Sequence, residues 1–163
     1  MRVLGLDPGL TCAGYGLIEQ VDGTLRALTY GAIRTPQGPV PKRLSILFDE
    51  VQSLLALHTP DAVAVERVLF SANARTAMSV GQAAGVALVA ASQAGCEVAE
   101  YSPNEVKQTV SGYGAADKAQ VQMMIARILG LTEIPKPADA ADALGLAITH
   151  IQSRKIRRLA ANA

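Results

Sequence analysis

Aromatic residues and cysteines are scarce in this 163-residue sequence, and tryptophan is absent. Aromatic side chains make up 4% of a chain that is 50% hydrophobic, so alanine, valine, leucine and isoleucine must fill the interior. The two cysteines, Cys12 and Cys96, are isolated and lack metal-ligand spacing. Because two cysteines cannot build a disulfide framework, small buried thiols in a reducing compartment are the simplest interpretation.

A long apolar run is also missing. No stretch reaches the roughly 18 consecutive apolar residues that a membrane-spanning helix requires. Asp7 interrupts the N-terminus before the apolar segment of a secretion signal can form. We therefore expect a soluble, cytoplasmic protein without a membrane partner, and the length fits one compact domain.

The charges are unevenly distributed. The net charge of +1 neither indicates nor excludes a nucleic-acid partner. The last residues carry Arg154, Lys155, Arg157 and Arg158 without an acid beside them, whereas residues 1–149 hold 11 basic and 14 acidic side chains. A polyanion-binding protein that keeps surplus carboxylates is expected to concentrate some of them at a site.

The order of the elements predicts an α/β fold. Apolar residues 3–6 form a first strand, and strands over 12–20 and 24–34 flank Asp22-Gly23, a strong hairpin signal. Helices are predicted over 42–57, 73–94, 103–110 and 139–153, and a further helix begins after a capping box of Asp117 and Gln120. Two more strands are predicted over 62–66 and 97–101. We expect a mixed five-stranded sheet with helices on both faces, a domain over residues 1–153 and a basic tail over 154–163.

Four carboxylates stand out by their positions. Asp7 and Glu66 each end a strand that is apolar on both faces, as central strands are. If these strands are parallel neighbours, both side chains lie at the C-terminal edge of the sheet, where open α/β sheets bind ligands. Asp139 and Asp142 are three residues apart on a predicted helix and share a face. Acids that converge without histidine or cysteine favour a hard cation, Mg²⁺ or Mn²⁺.

Each acid also has a plain structural alternative. Asp7 stands before Pro-Gly and is then only a turn residue. Asp139 is then an N-cap, and Asp142 favours the positive end of the helix.

Five ordered blocks resemble the motifs of RuvC-type Holliday-junction resolvases, the crossover junction endodeoxyribonucleases. The blocks are residues 4–9 (LGLDPG) with 14–16 (GYG), 65–68 (VERV) with 73–74 and 81–87 (GQAAGVA), 106–110 (VKQTV), 118–122 (KAQVQ) and 138–144 (ADAADAL). The similarity extends from about residue 2 to 152. A single block such as DPG is weakly specific, whereas five in order are highly specific.

The resemblance implies an RNase H-like nuclease that resolves four-way DNA junctions in recombination and repair by paired symmetric nicks. It implies a homodimer, a branch-migration helicase complex (RuvA and RuvB) as a partner, and dependence on Mg²⁺. The chemistry of an in-line displacement favours two ions per active site, and the carboxylate ligands allow Mn²⁺ to substitute. Under this resemblance the metal-binding catalytic acids are Asp7, Glu66, Asp139 and Asp142.

The resemblance also implies basic catalytic residues and DNA contacts. Lys107 and Lys118 match basic positions near the cut phosphate, with a solvated helix face as the alternative. Further DNA-binding candidates come from their positions in the sequence and not from the family. Asn73 and Arg75 stand at the start of the predicted long helix, whose N-terminus favours phosphate. Tyr113 lies in a loop flanked by glycines, with an ordinary exposed loop tyrosine as the alternative. Together with Leu69, Phe70, Lys107 and Lys118 they make up the DNA-binding candidates. The sequence departs from the family at one of these positions. The family often has a base-stacking aromatic where this chain has Leu69, so either Phe70 takes that role or stacking is weaker.

One face of the predicted helix over 73–94 is unusually small. It consists of Ala77, Gly81, Ala84, Gly85 and Leu88. The resemblance assigns this region to the dimer interface, and close packing on the chain's own sheet is the alternative.

Three rival functions compete with this interpretation. Residues 7–11 also resemble the first phosphate loop of actin-like sugar kinases, but a chain of 163 residues has no room for the second domain those enzymes need. A non-enzymatic junction-binding module would not need the four acids. A nuclease that acts on RNA–DNA hybrids is the closest enzymatic rival.

Overall fold

The computed structural model describes the backbone of residues 1–68 and 74–161, with side chains up to Ile156. The strands are β1 (Arg2–Asp7), β2 (Cys12–Val21), β3 (Thr24–Arg34), β4 (Ala62–Glu66) and β5 (Glu97–Tyr101). The helices are α1 (Val40–His58), α2 (Ala74–Gln93), α3 (Pro103–Ser111), α4 (Lys118–Ile128) and α5 (Ala138–Ala161). Among these described helices, none is both long and apolar enough to cross a bilayer.

The five strands form one mixed sheet in the order β3-β2-β1-β4-β5. β1 pairs antiparallel with β2 and parallel with β4, and β4 pairs parallel with β5. The predicted hairpin at Asp22-Gly23 joins β2 to β3, and both residues have positive φ, of 49° and 82°. Such angles are those of a tight primed turn, whose twist matches that of the paired strands.

Both faces of the sheet are covered, as the apolar strands require. Alternate residues of a strand point to opposite faces, so Val3 packs in one core cluster and Leu4 in the other. β4 does the same, with Ala64 on the first face and Val65 on the second. Helices α3, α4 and α5 contribute to the first cluster, whereas α1 and α2 contribute to the second. The expected helices on both faces are therefore present.

The last helix differs from its predicted length. It was expected to end near residue 153, but α5 continues to Ala161, through most of the predicted tail. The residues after 153 contain no glycine or proline and are mostly good helix formers, so the basic run extends the helix instead of ending it. Arg154 also donates to Glu97 at 2.6 Å, which attaches this part of α5 to β5.

Candidate active site

The central strands bring Asp7 and Glu66 to one edge of the sheet. β1 and β4 are parallel neighbours, with Leu6 opposite Val65 in the register. The next residue of each strand is the acid, so both carboxylates leave the sheet at its C-terminal edge. The sequence predicted this placement from the two apolar runs, and it is confirmed.

Helix α5 brings the other two acids to the same edge because two glycines allow it to approach the sheet. A Cβ built on Gly14 would lie 2.0 Å from the carbonyl oxygen of Asp139. A Cβ on Gly5 would lie 1.8 Å from the carbonyl oxygen of Ala143. No side chain fits at either place, and Gly14 is the register partner of Asp7. Sequence reasoning quoted both glycines only as parts of a motif and missed this close approach.

Two of the acids have side-chain partners in this arrangement. The Nζ of Lys118, the first residue of α4, donates to Oδ2 of Asp142 at 2.8 Å. The Sγ of Cys12 donates to Oδ2 of Asp139 at 3.3 Å. Sequence reasoning treated Cys12 as an ordinary buried thiol, and nothing in its spacing indicated this contact.

The four acids share one electrostatic environment. The pKa of the Asp7 carboxyl is raised to about 7, first by burial and then by the negative charges of the other three acids. Burial, and after it the charge of Asp142, also raises the pKa of Glu66. The hydrogen bond to Asp142 raises the pKa of Lys118, which favours its protonated form. The cluster therefore has excess negative charge that Lys118 only partly compensates.

The described part of the chain contains no set of side chains already arranged to coordinate a metal ion. Among residues 1–68 and 74–156, no three acidic, histidine or cysteine side chains meet closely enough to hold an ion as they stand. Asp142 is engaged by Lys118, and Asp139 by Cys12. The chemistry of the donor set still suits a hard divalent cation, because all four donors are carboxylates, Asp7 and Glu66 are desolvated, and the charges of the other acids raise the pKa of Asp7.

A cleft of about 290 Å³ lies beside the acids and contains both candidate lysines. Glu66 and Asp142 line it together with Lys107 and Lys118. Its apolar wall comes from α3 and α4, through Pro103, Val106, Val121 and Ile125. The capping boxes of Ser102 with Glu105 and of Asp117 with Gln120 define the starts of α3 and α4. The two lysines therefore occupy helices with well-defined first turns.

The remaining DNA-contact candidates lie elsewhere. Arg75 lines a different space of about 560 Å³, between residues 9–12 and the first turns of α1 and α2. Tyr113 is 64% exposed between α3 and α4. The predicted contacts Leu69, Phe70 and Asn73 lie outside the described residues.

The small face of α2 is divided between the core and the surface. Ala84 is buried. In contrast, a Cβ built on Gly81 or on Gly85 meets no atom of the described residues within 4 Å, so those residues leave this part of the helix open. Ala77 and Gly81 line a largely apolar hollow of about 650 Å³. Packing on the chain's own sheet therefore accounts for Ala84 but not for the two glycines.

Comparison with known proteins identifies the family of the chain. The family model described as "Crossover junction endodeoxyribonuclease RuvC" matches residues 3–150. A relative with this description from Syntrophomonas wolfei is 51% identical over 157 residues, which are 96% of this chain and 91% of the relative. Another relative with this description, from Brevibacillus brevis, is 50% identical over 155 residues, which are 94% of this chain and 93% of the relative.

The fold agrees with the sequence similarity. T. thermophilus RuvC, solved in complex with a Holliday junction substrate, superimposes with a TM-score of 0.90 at 39% identity, and the match covers 96% of each chain. The same protein in a second structure gives a TM-score of 0.87. The predicted RNase H-like fold is thus confirmed. The chain belongs to the RuvC family of crossover junction endodeoxyribonucleases.

Proposed function

We propose that this chain is a metal-dependent endonuclease that resolves four-way DNA junctions. The observation that carries the proposal is the desolvated Asp7 carboxyl, surrounded by three further acids at the edge of a RuvC-family sheet. Such a cluster is costly for folding alone, because burial and mutual repulsion both oppose its ionisation. The names of the relatives describe crossover junction endodeoxyribonucleases, and the solved T. thermophilus protein is bound to a Holliday junction substrate.

The catalytic and metal-binding acids in this proposal are Asp7, Glu66, Asp139 and Asp142. We assign them two Mg²⁺ ions, for which Mn²⁺ can substitute, because all four donors are carboxylates. The four carboxylates would hold such a pair of cations, which would supply activation of water and stabilisation of a leaving 3′ oxygen in an in-line displacement. Asp7 and Glu66 hold their carboxylates on rigid central strands, while α5 presents the other two from above.

The two lysines have complementary roles in the proposal. Lys107 and Lys118 line the cleft next to Glu66 and Asp142, within reach of a phosphate placed there. A cation in a partly desolvated cleft stabilises charge that develops on the phosphate during cutting. Lys118 has a second role, because it neutralises Asp142 when no metal is present.

Resolution requires two nicks, and we propose that a homodimer makes them. One carboxylate cluster cuts one strand, whereas a two-fold dimer presents two identical sites related by the symmetry of the junction. The open face of Ala77, Gly81 and Gly85 on α2 is the proposed contact, since a second backbone can approach it closely.

We also propose further DNA contacts, and the family resemblance adds a protein partner. The proposed contacts are Arg75, Tyr113 and the residues Leu69, Phe70 and Asn73. The proposed protein partner is the RuvA–RuvB branch-migration complex. Both cysteines are free thiols, which supports the assignment to a reducing cytoplasm.

A substrate competition tests this function. A labelled synthetic four-way junction is incubated with the protein in Mg²⁺ or in EDTA, with an excess of unlabelled junction or of RNA–DNA hybrid as competitor. We expect Mg²⁺-dependent cutting that only the junction competes away. Preferential competition by the hybrid would assign the chain to a different nuclease activity, and cutting in EDTA would exclude the metal mechanism.

A further inference from the structure

The side chain of Arg43 connects three separate segments of the chain near the catalytic edge. It lies in the first turns of α1, and its Nη2 donates to Oγ1 of Thr11 at 2.8 Å and to the carbonyl oxygen of Leu10 at 3.2 Å. Its Nε donates to Oγ1 of Thr35 at 2.9 Å. The Thr35 hydroxyl in turn donates to the carbonyl oxygen of Leu10. One guanidinium thus binds the loop after β1 and the end of β3 to α1.

Thr35 makes this network part of the interior. Thr35 is only 6% exposed, and its backbone N–H donates to the carbonyl oxygen of Thr11 at 3.2 Å. The Thr35 hydroxyl accepts a hydrogen bond from Nε of Arg43 and donates one to the carbonyl oxygen of Leu10. This single buried hydroxyl therefore connects Arg43 to Leu10. Buried polar groups that are satisfied in this way hold one geometry, since breaking any bond leaves a desolvated partner.

The loop that the network holds links two of the proposed catalytic acids. Asp7 lies three residues before Leu10, and Cys12, which donates to Asp139, directly follows Thr11. The turn between them is tight, because a Cβ on Gly9 would lie 2.1 Å from the carbonyl oxygen of Cys12. Movement of Leu10 and Thr11 would therefore be transmitted to both acids.

We propose that Arg43 is a positioning residue for cutting, which fixes the loop of residues 8–11 and through it the carboxylates of Asp7 and Asp139. This inference rests on the proposed nuclease function. The fork of the guanidinium is essential to it, since two of its nitrogens reach three acceptors in fixed directions. A lysine ammonium carries the same charge but cannot reproduce this planar geometry.

A direct contact between Arg43 and a DNA phosphate is the alternative role. Arg43 and Arg75 both line the space of about 560 Å³ beside the loop, where a phosphate could bind. The two roles differ in their salt dependence. A lost phosphate contact reduces the slope of log affinity against log salt by about 1, whereas a lost positioning contact leaves that slope unchanged.

The test compares single-turnover cutting of a four-way junction by wild type, Arg43→Ala, Arg43→Lys and Thr11→Val at saturating enzyme. Lys42→Ala is the matched control, because Lys42 is an exposed cation one residue away on α1. We expect roughly tenfold or greater loss of rate in both Arg43 variants, a smaller loss for Thr11→Val and no change for the control. The Mg²⁺ concentration for half-maximal rate should rise, while the salt slope of junction binding stays constant.

Two further measurements separate positioning from loss of stability. Added guanidinium ion replaces the missing side chain and should restore cutting by Arg43→Ala but not by Thr11→Val. Because guanidinium is also a denaturant, it cannot restore the activity of a variant that is merely unstable. The double variant should lose no more rate than Arg43→Ala alone, because both changes break the same contact. If Arg43→Ala does not fold, the loss of rate in Thr11→Val tests the proposal.

The outcomes that overturn the inference are distinct from failure of the proposed function. Wild-type cutting by Arg43→Lys would show that charge suffices, and a reduced salt slope with a normal rate would assign Arg43 to phosphate binding. Additive losses in the double variant would remove the link to Thr11. Asp7→Asn is included in the same assay. If it cuts, the nuclease assignment itself fails. If it is inactive while the Arg43 variants cut normally, only the positioning role fails.

Discussion

The ammonium group of Lys118 lies 2.8 Å from Oδ2 of Asp142. This ion pair joins the start of α4 to the acid face of α5 at the edge where Asp7 and Glu66 end their strands. Its side chains are 62% and 26% exposed, so solvent screens it and it contributes little to stability. Its importance is local, because Lys118 and a divalent cation would compete for the same carboxylate.

Lys118→Ala should therefore bind metal more tightly and cut more slowly. Removing the ammonium frees Asp142 for the cation, but it also removes positive charge from the cleft beside the phosphate. We expect calorimetry with Mn²⁺ in the absence of DNA to show a lower dissociation constant, and the cutting rate at saturating metal to fall by roughly 10- to 100-fold. Lys118→Arg, which keeps the charge, is the control. Unchanged metal affinity in the alanine variant would disprove the competition.

Asp7→Asn should stabilise the metal-free protein in a pH-dependent way. The pKa of this acid is 3.8 in an unfolded chain and about 7 in the folded one, so the folded state binds the proton more tightly. The free energy of unfolding of the wild type then decreases as pH rises from about 4 to 7. Above about pH 7 the full cost of ionising the buried Asp7 carboxyl opposes folding. The variant lacks the penalty, so we expect it to be more stable by roughly 1–4 kcal/mol at pH 8 and equal to wild type below pH 4.

Urea denaturation in EDTA at pH 4, 6 and 8 measures this difference. Asp49→Asn, on the exposed side of α1, controls for the general effect of removing an acid. Mg²⁺ at pH 8 should stabilise the wild type and narrow the gap, since a ligand stabilises the state that binds it. A gap that is the same at every pH would show that the Asp7 carboxyl has an ordinary pKa.

The edge of the sheet was predictable from short sequence patterns. Asp7 and Glu66 follow runs that are apolar on both faces, and only central strands bury both faces. Two local patterns were therefore enough to predict that the two acids lie at the same edge of the sheet. The turn at Asp22-Gly23 and the capping box of Asp117 with Gln120 were equally local, and both are confirmed. Signals of this kind need no knowledge of the rest of the chain.

Contacts between distant segments were not predictable. The close approach of Gly14 to Asp139 joins residues far apart in the sequence, and a glycine in a strand has several possible causes. The hydrogen bonds from Arg43 to Thr11 and Thr35 depend on where α1 is placed against the sheet, which no local pattern specifies. The end of α5 was misplaced because charge was taken as a boundary, although helix propensity continued unbroken.

Lys107→Ala should reduce the rate of cutting more than the affinity for the junction. Lys107 lines the same cleft as Glu66 and Asp142, and in the proposed mechanism its charge acts on the phosphate being cut. We expect at least a tenfold lower single-turnover rate at saturating enzyme, with Lys42→Ala unchanged. A normal rate combined with weaker binding would make Lys107 a simple backbone contact.

Gly81→Leu should disrupt a homodimer without unfolding the chain. A Cβ at this position meets no atom within 4 Å in the part of the chain that the structure describes, so the added bulk projects from α2. Sedimentation should show a wild-type dimer and a variant shifted to monomer, with a melting temperature within a few degrees of wild type. Ala84→Leu is the contrasting variant, because Ala84 is buried and overpacking there should destabilise the fold by about 1–3 kcal/mol. A monomeric wild type that still makes paired nicks would contradict the dimer.

The most direct test of the carboxylate site is the cutting of a synthetic four-way junction by Asp7→Asn in Mg²⁺, read on a sequencing gel beside wild type. We predict paired, symmetric nicks for wild type and none for the variant. The variant should still bind the junction with near-normal affinity, since binding rests mainly on phosphate contacts. Near-normal cutting by Asp7→Asn would contradict the account, because the acid at the centre of the cluster would then be dispensable for the chemistry.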